Sequence, residues 1–250
     1  MVQKKDISIA IVLYKENPQI LQKTIDSVLK IPLTKHLFLI DNSPTNDLQS
    51  LANHPDITYI KNEKNIGFGA ANNLIKNQTE ITSTFHLVLN PDVVFEPDII
   101  VKLIHSLKAY KEVMMIAPRV VFPNGSHQFT IRKYPSLFDL IIRKLTIFKN
   151  RIHDKEYRNE EVTTPFFPEV IHGCFMLFKT EDFLKIGGFD ERYFLYMEDV
   201  DLCKKIDAYG KQKMYDSSVS VSHVLMKGSS KEMKLFFYHL SSAIKYFLKW

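Results

Sequence analysis

A chain of 250 residues with 45% hydrophobic and 24% charged residues can bury one sizeable core, which excludes an intrinsically disordered protein. Its formal net charge is +5, with basic residues gathered in 143–158 and 227–249, so anionic partners are expected; without a helix-turn-helix, zinc-finger or aromatic-basic ribonucleoprotein pattern, nucleic acid is not among them. No apolar stretch approaches the roughly 20 residues that span a bilayer, and the opening Met-Val-Gln-Lys-Lys-Asp runs into a strand-like segment instead of a secretory signal, so a cytoplasmic protein is expected.

Ile7 to Tyr14 is a continuous apolar run of strand length. Asn17-Pro18 then supplies an N-cap and a first helical residue, and Ile20, Leu21, Thr24, Ile25, Val28 and Leu29 follow at helical spacing. The β-then-α unit recurs: His36 to Ile40, Ile57 to Ile60 and Phe85 to Leu89 read as strands, and 44–53, 67–77 and 97–110 as helices. Strands with few polar residues, alternating with helices, predict an α/β fold with a mostly parallel sheet covered on both faces. Ligands of such sheets sit at the carboxyl ends of the strands, where Tyr14-Lys15-Glu16, Asp41-Asn42-Ser43 and Asn90-Pro91-Asp92 fall.

The second half is less regular. Pro123-Asn124-Gly125-Ser126 reads as a hairpin turn, and Val170 to Phe178 as a strand. Gly187 to Cys203 then sets carboxylates among aromatics just before a helical stretch, Val200 to Tyr209, that ends at Gly210. Two short strands near 212–215 and 219–223 and a final helix from Glu232 to Trp250 complete the chain. Cys174 and Cys203 have apolar or helix-face neighbours, so buried free thiols are expected rather than a disulfide or a metal pair.

Several constellations can carry chemistry. Asp92 follows directly on a strand, where a hard divalent cation such as Mg²⁺ or Mn²⁺ can take one carboxylate and fill its other positions with phosphate and water; Asn-Pro-Asp is equally an ordinary turn. Asn65 to Asn73 is a glycine-containing loop entering a helix of small residues, open to an anion or a ribose, though a plain helix start has the same composition. His223 ends a predicted strand and is able to complete a metal shell; His172, His105 and His239 read as structural. Asp199, with Glu198 beside it, is the candidate general base, walled by Phe194, Leu195, Tyr196 and Met197. An acidic first helical turn accounts for the same residues.

Taken in order, these stretches resemble glycosyltransferase family 2, and within it the bacterial rhamnosyltransferase-like branch. The likeness covers nearly the whole chain: Ser8 to Tyr14, Asp41-Asn42-Ser43, Asn65 to Asn72, Asn90-Pro91-Asp92, Gly173 to Leu177, Gly187 to Phe194, Glu198 to Asp201, and His223. It implies a GT-A, Rossmann-like fold in a single domain, with a nucleotide-binding half over about 1–117 and an acceptor-binding half over about 118–250. It also implies that Tyr14, Glu16, Asp41, Asn65, Gly67 and Asn72 line the nucleotide donor. Asp92 takes the place of the family's metal-binding Asp-x-Asp element, with Asn90 where the first carboxylate usually stands. His223 takes that of the C-terminal metal ligand, and Asp199, with Glu198, that of the catalytic acidic pair.

The implied reaction is inverting transfer of a sugar, L-rhamnose by branch resemblance, from a dTDP- or UDP-sugar with Mn²⁺ or Mg²⁺. The implied acceptor is a saccharide or a lipid-linked one, in cell-surface polysaccharide synthesis. A cation neutralises the departing diphosphate, so a single carboxylate base suffices; a retaining hydrolase would need two carboxyls about 5 Å apart. Rival readings are a nucleotidyltransferase, which lacks its Gly-rich basic loop after the first strand, and a non-catalytic carbohydrate-binding or scaffold protein on the same fold. Leu137, Phe138, Ile141, Leu145 and Phe148 share one helical face within 136–151, rimmed by Arg143, Lys144, Lys149 and Arg151. That pattern suits a helix lying on a membrane surface and equally one packed on the core.

Overall fold

The computed structural model describes residues 3–78, 81–139, 148–224 and 233–250. Four parallel strands open the chain: β1 (Gln3–Leu13), β2 (Lys35–Asp41), β3 (Ile57–Lys61) and β4 (Ile81–Leu89) lie in the order β3-β2-β1-β4. Helix α1 (Pro18–Leu29) begins as its sequence dictates: the Asn17 side chain accepts from the Gln19 and Ile20 amides, and Pro18 needs no amide partner at the first position. In β1, Ile7, Ile9, Ile11 and Leu13 pack with α1 and α3 (Asp98–Ala109), whereas Ala10 faces Phe38, Ile40 and Ala71. That alternation is the period-two signature of a strand covered on both faces.

The parallel pattern stops at β4. Strand β10 (Phe175–Lys179) runs antiparallel to both β4 and β6 (Val113–Val121), and β11 (Gln212–His223) lies parallel to β6 on its far side. The short β5 (Val93–Val94) closes the edge against β11, and β7 (His127–Gln128) pairs with β6 through the expected hairpin. One nine-stranded mixed sheet therefore draws strands from both halves of the chain. A separate ribbon joins β8 (Ile131–Arg132) to β9 (Val170–Ile171). Helices α5 (Thr180–Lys185) and α6 (Glu198–Ala208) cover the second face through Phe183, Leu202, Cys203 and Ile206.

Several elements differ from the sequence reading. Only a 3₁₀ turn, Gln49–Ala52, forms within 44–53, because only Leu48, Leu51 and Ala52 pack inward and His54-Pro55 follow. The helix expected over 67–77 divides into α2 (Phe68–Asn73) and a 3₁₀ turn, Leu74–Asn77. Val170 to Phe178 breaks into β9 and β10, since the Gly173 amide bonds the Asp199 carboxylate instead of a neighbouring strand. The two strands expected over 212–223 are the single β11, with an irregularity between Asp216 and Ser220. Both cysteines are buried free thiols. Of the amphipathic stretch 136–151, residues 140–147 lie outside the described residues; α4 (Lys149–Lys155) starts after Phe148, which is left-handed at φ +56°. The final helix, α7, spans Met233–Lys249.

Candidate active site

The carboxyl ends of β1, β2 and β4 gather the residues expected around a nucleotide. Tyr14 stands exposed just past β1. Its amide donates to the Glu16 carboxylate over 3.4 Å. Glu16 itself is raised by burial to about 7, with the charges of Asp92 and Asp41 adding to the effect, so all three carboxyls share one region. Asp41 is fully buried; it accepts from the Ser43 amide at 2.7 Å and from the Tyr59 hydroxyl, and Lys61 approaches to 3.7 Å. Asn65 accepts from the Gly67 amide at 2.9 Å. Asn72 is fully buried, with its Nδ2 bonded to the Phe68 carbonyl.

Gly67 is required by contact as well as by conformation. Its φ is +89°, and a Cβ there would stand 2.4 Å from the Phe194 carbonyl oxygen, closer than any side chain tolerates. The Phe68 amide donates to that same oxygen at 3.1 Å. The glycine loop of the first half is thereby pressed against the aromatic loop of the second. Asn73 reinforces the seam by bonding both backbone groups of Phe189 and the Glu191 carboxylate.

Asp92 and His223 meet because of strand register. Val93 pairs with His223 across β5 and β11, the Val224 amide donates to the Asp92 carbonyl, and Thr24 of α1 holds the Pro91 carbonyl at 2.8 Å. Asp92 Oδ1 consequently lies 3.1 Å from His223 Nε2, with both side chains nearly buried. Gln128 sets the tautomer: its Nε2 donates to the His223 and Val121 carbonyls at 2.6 and 3.5 Å, so its Oε1 must be the acceptor facing His223 Nδ1 at 3.0 Å. With the Nδ1 proton so engaged, Nε2 and Asp92 Oδ1 approach as two acceptors, an arrangement completed by a proton or a cation. This donor set fits a divalent ion. Among the described residues no group of three His, Cys, Asp or Glu converges, so a cation held by these two groups would take its other ligands from phosphate and water.

Asp199 sits at the start of α6 with each oxygen held by an amide: Oδ1 by its neighbour Val200 at 2.8 Å and Oδ2 by Gly173 at 3.2 Å. The two residues before α6, Tyr196 and Met197, are left-handed at φ +68° and +67°. Glu198 is buried, and burial followed by the neighbouring Asp199 pushes its carboxyl up to about 8; its Oε2 makes no hydrogen bond. Both acids line a cavity of about 350 Å³ with Asn90, Gly173, Tyr196 and His172. The other carboxylates of the cluster are used structurally: Asp190 by Arg192 and Lys249, Glu191 by Asn73, Asp201 by Lys249 and Trp250.

Cys174 links the two stations. Its thiol is pushed up to about 12 by burial, with Asp92 and Asp199 both adding to the effect, and its carbonyl accepts the Asn90 amide at 2.9 Å. Asp92 and Asp199, distant in sequence, thus both act on Cys174. Sequence reasoning missed Gln128, whose role depends on a hairpin register, and it left His172 and His239 as structural. The first lies 3.9 Å from Asp199 Oδ2, and both line the cavity; their packing partners come from α6 and the 194–197 loop, which no local pattern announces.

The fold is that of solved GT-A glycosyltransferases. One structure of GalNAc-T7 with UDP, GalNAc and Mn²⁺ aligns with a TM-score of 0.66 at 15% identity, over 90% of this chain and 44% of that one. The mannosyltransferase PcManGT from Pyrobaculum calidifontis, in complex with GDP-Man and Mn²⁺, aligns with a TM-score of 0.63 at 17% identity, over 97% and 65%. The family model for glycosyl transferase family 2 matches residues 8–186, and the chain belongs to that family. A second model, the N-terminal domain of galactosyltransferase, matches 158–226.

Among relatives, the rhamnosyltransferase WbbL of Escherichia coli is 27% identical over 190 residues, 72% of this chain and 69% of its own length. The N-acetylglucosaminyl-diphospho-decaprenol L-rhamnosyltransferase of Mycobacterium tuberculosis is 28% identical over 201 residues, 75% of this chain and 66% of its own. The low-salt glycan biosynthesis hexosyltransferase Agl10 of Haloferax volcanii is 28% identical over 202 residues, 79% and 60%. The chain thus spans about two thirds of the length of these relatives. It is a glycosyltransferase of the rhamnosyltransferase-like branch.

Proposed function

We propose that the protein transfers a sugar, L-rhamnose by analogy with its relatives, from a nucleoside-diphosphate sugar to a saccharide or lipid-linked acceptor, with inversion at the transferred carbon. The observation that carries this reading is that one stretch of backbone meets both stations: the Cys174 carbonyl accepts the Asn90 amide at 2.9 Å, two residues from the Asp92–His223 pair, and the Gly173 amide donates to Asp199 at 3.2 Å. Residues 1–117 serve as the donor half and 118–250 as the acceptor half. Tyr14 and Glu16 border the base, Asp41 bonds it, and Asn65, Gly67 and Asn72 shape the ribose and diphosphate side. The lipid-linked acceptor in the mycobacterial relative's name supports a cell-envelope role and a place at the inner leaflet. Among the described residues no helix is long and apolar enough to cross a membrane.

Asp92 and His223 would hold Mn²⁺ or Mg²⁺, which when bound neutralises the charge left on the departing diphosphate. Asp199, its two oxygens aimed by the Val200 and Gly173 amides, takes the proton of the acceptor hydroxyl. That oxygen bonds the anomeric carbon as the carbon–diphosphate bond breaks on the opposite face. Glu198, protonated at neutral pH, supplies a hydrogen-bond donor within the same cavity. Inverting displacement requires only the one base.

The test is transfer and donor hydrolysis with dTDP-rhamnose and UDP-hexoses in Mn²⁺, with and without chelator, alongside thermal-shift binding of each donor. Turnover that a chelator abolishes supports the reading. Sugar binding without turnover on any donor would make the protein a binding module instead.

A further inference from the structure

Helix α7 carries an apolar face that the fold leaves uncovered. Along Met233–Lys249, Ser242, Ala243 and Tyr246 pack inward, while Met233, Phe237, Leu240, Ile244 and Leu248 recur at helical spacing on the outside. Met233 is 77% exposed, Phe237 58%, Ile244 52% and Leu248 83%. The stripe runs the length of a 17-residue helix, about 25 Å, and a contiguous exposed apolar surface of that kind marks a contact. The helix contains Lys234, Lys245 and Lys249 and no acidic residue.

The helix that carries this face borders the cavity with its other side. His239 of α7 lines the cavity that holds Asp199, the rings of Tyr196 and His239 meet at 5.3 Å, and Ser242 donates to the Leu195 carbonyl at 2.8 Å. Asp139, Arg151 and Ile152 line the same cavity; beside them Leu137 and Phe148, each 61% exposed, and Phe138 present further apolar surface, with Arg151 over the Phe138 ring at 5.3 Å. Two separate elements thus border one cavity, α7 through His239 and the 137–152 stretch through Asp139, Arg151 and Ile152, and each carries exposed apolar side chains beside basic ones outside it.

We propose that these surfaces, with α7 as the principal element, seat the protein on an anionic lipid surface so that the Asp199 cavity meets an acceptor held in that surface. The inference rests on the lipid-linked acceptor of the proposed function. Charge selects this occupant: an apolar stripe edged by Lys234 and Lys245 matches lipid chains beneath anionic headgroups. A second copy fits poorly, because pairing α7 with itself about a two-fold axis sets lysines against lysines with no acid on the helix to meet them.

The experiment is co-sedimentation of the full chain with phosphatidylcholine vesicles, with and without phosphatidylglycerol, at low and high salt. Binding to phosphatidylglycerol vesicles that weakens with salt is expected, reduced at least about tenfold by Phe237→Ser/Leu240→Ser/Ile244→Ser and also reduced by Lys234→Glu/Lys245→Glu. All five side chains are exposed, so both variants should fold, as circular dichroism checks. The inference is overturned by wild-type protein that ignores the vesicles, by variants that bind as well as wild type, or by a stable dimer in light scattering that the triple-serine variant dissolves. The vesicles contain neither sugar nor nucleotide. Binding without transfer therefore keeps this inference and removes the reaction, and transfer without binding does the reverse.

Discussion

Gln128 and His223 are joined twice: the glutamine amide donates to the histidine's own carbonyl at 2.6 Å while its oxygen faces the ring Nδ1 at 3.0 Å. The double contact fixes which ring nitrogen faces Asp92. Gln128→Leu should weaken Mn²⁺ affinity about 10–100-fold, the usual cost of losing a partner behind a metal ligand. Calorimetry or Mn²⁺ paramagnetic resonance on the protein without donor reads this directly; unaltered affinity would show that the tautomer is set elsewhere.

Asp199→Asn keeps the shape of the side chain and removes its capacity to take a proton. The rate of transfer should fall about 10²–10⁴-fold with donor affinity little changed, measured as kcat against thermal-shift binding. Full-speed transfer by this variant would remove Asp199 from the mechanism.

Gly67→Ala forces a Cβ to within 2.4 Å of the Phe194 carbonyl oxygen at φ +89°, whereas at Gly125, φ +82°, a Cβ meets nothing within 4 Å. Both substitutions put a Cβ on a positive-φ backbone, but Gly67, at ψ 170°, lies in a region that essentially only glycine occupies, and it alone meets the clash. Gly67→Ala should cost at least about 1 kcal/mol more than Gly125→Ala, since overpacking adds about that much. Urea denaturation compares them, and equal losses would mean that the seam yields.

Burial raises Glu198 to about 8 and Glu16 to about 7, from an ordinary 4.5. Between pH 4.5 and 8 these two carboxyls hold protons that the unfolded chain has released, so their contribution to stability falls as pH rises; burial lowers His36, His86 and His127 from 6.5, which acts the other way below that pH, so the decline is read above it. Glu198→Gln has no such proton and should flatten the decline, most visibly between pH 7 and 8. Tm measured against pH checks this; a slope equal to that of wild type would locate the buried proton on another group.

The parts of the fold legible in sequence were those with local causes. Asn17-Pro18 announces α1 through its own cap, and the apolar runs of β1, β2 and β4 announce buried strands. Strand direction was not legible: Phe175 to Phe178 are buried throughout, and a run apolar on both faces carries no mark of whether its neighbours run with it or against it. The meeting of Asp92 with His223 was inferred from resemblance, and the β5–β11 register gives it a physical cause. Gln128 had no comparable signal, because an exposed-looking His-Gln pair after a turn becomes a buried support only once the hairpin closes against β11.

The abutment of Gly67 on Phe194 also bears on how new specificities can arise on this scaffold. With an α-carbon lodged against a main-chain oxygen, that seam admits no larger residue and offers selection nothing to vary. On the proposed reading, diversity in the nucleotide base accepted is written instead at the margin where the exposed Tyr14 stands beside Glu16.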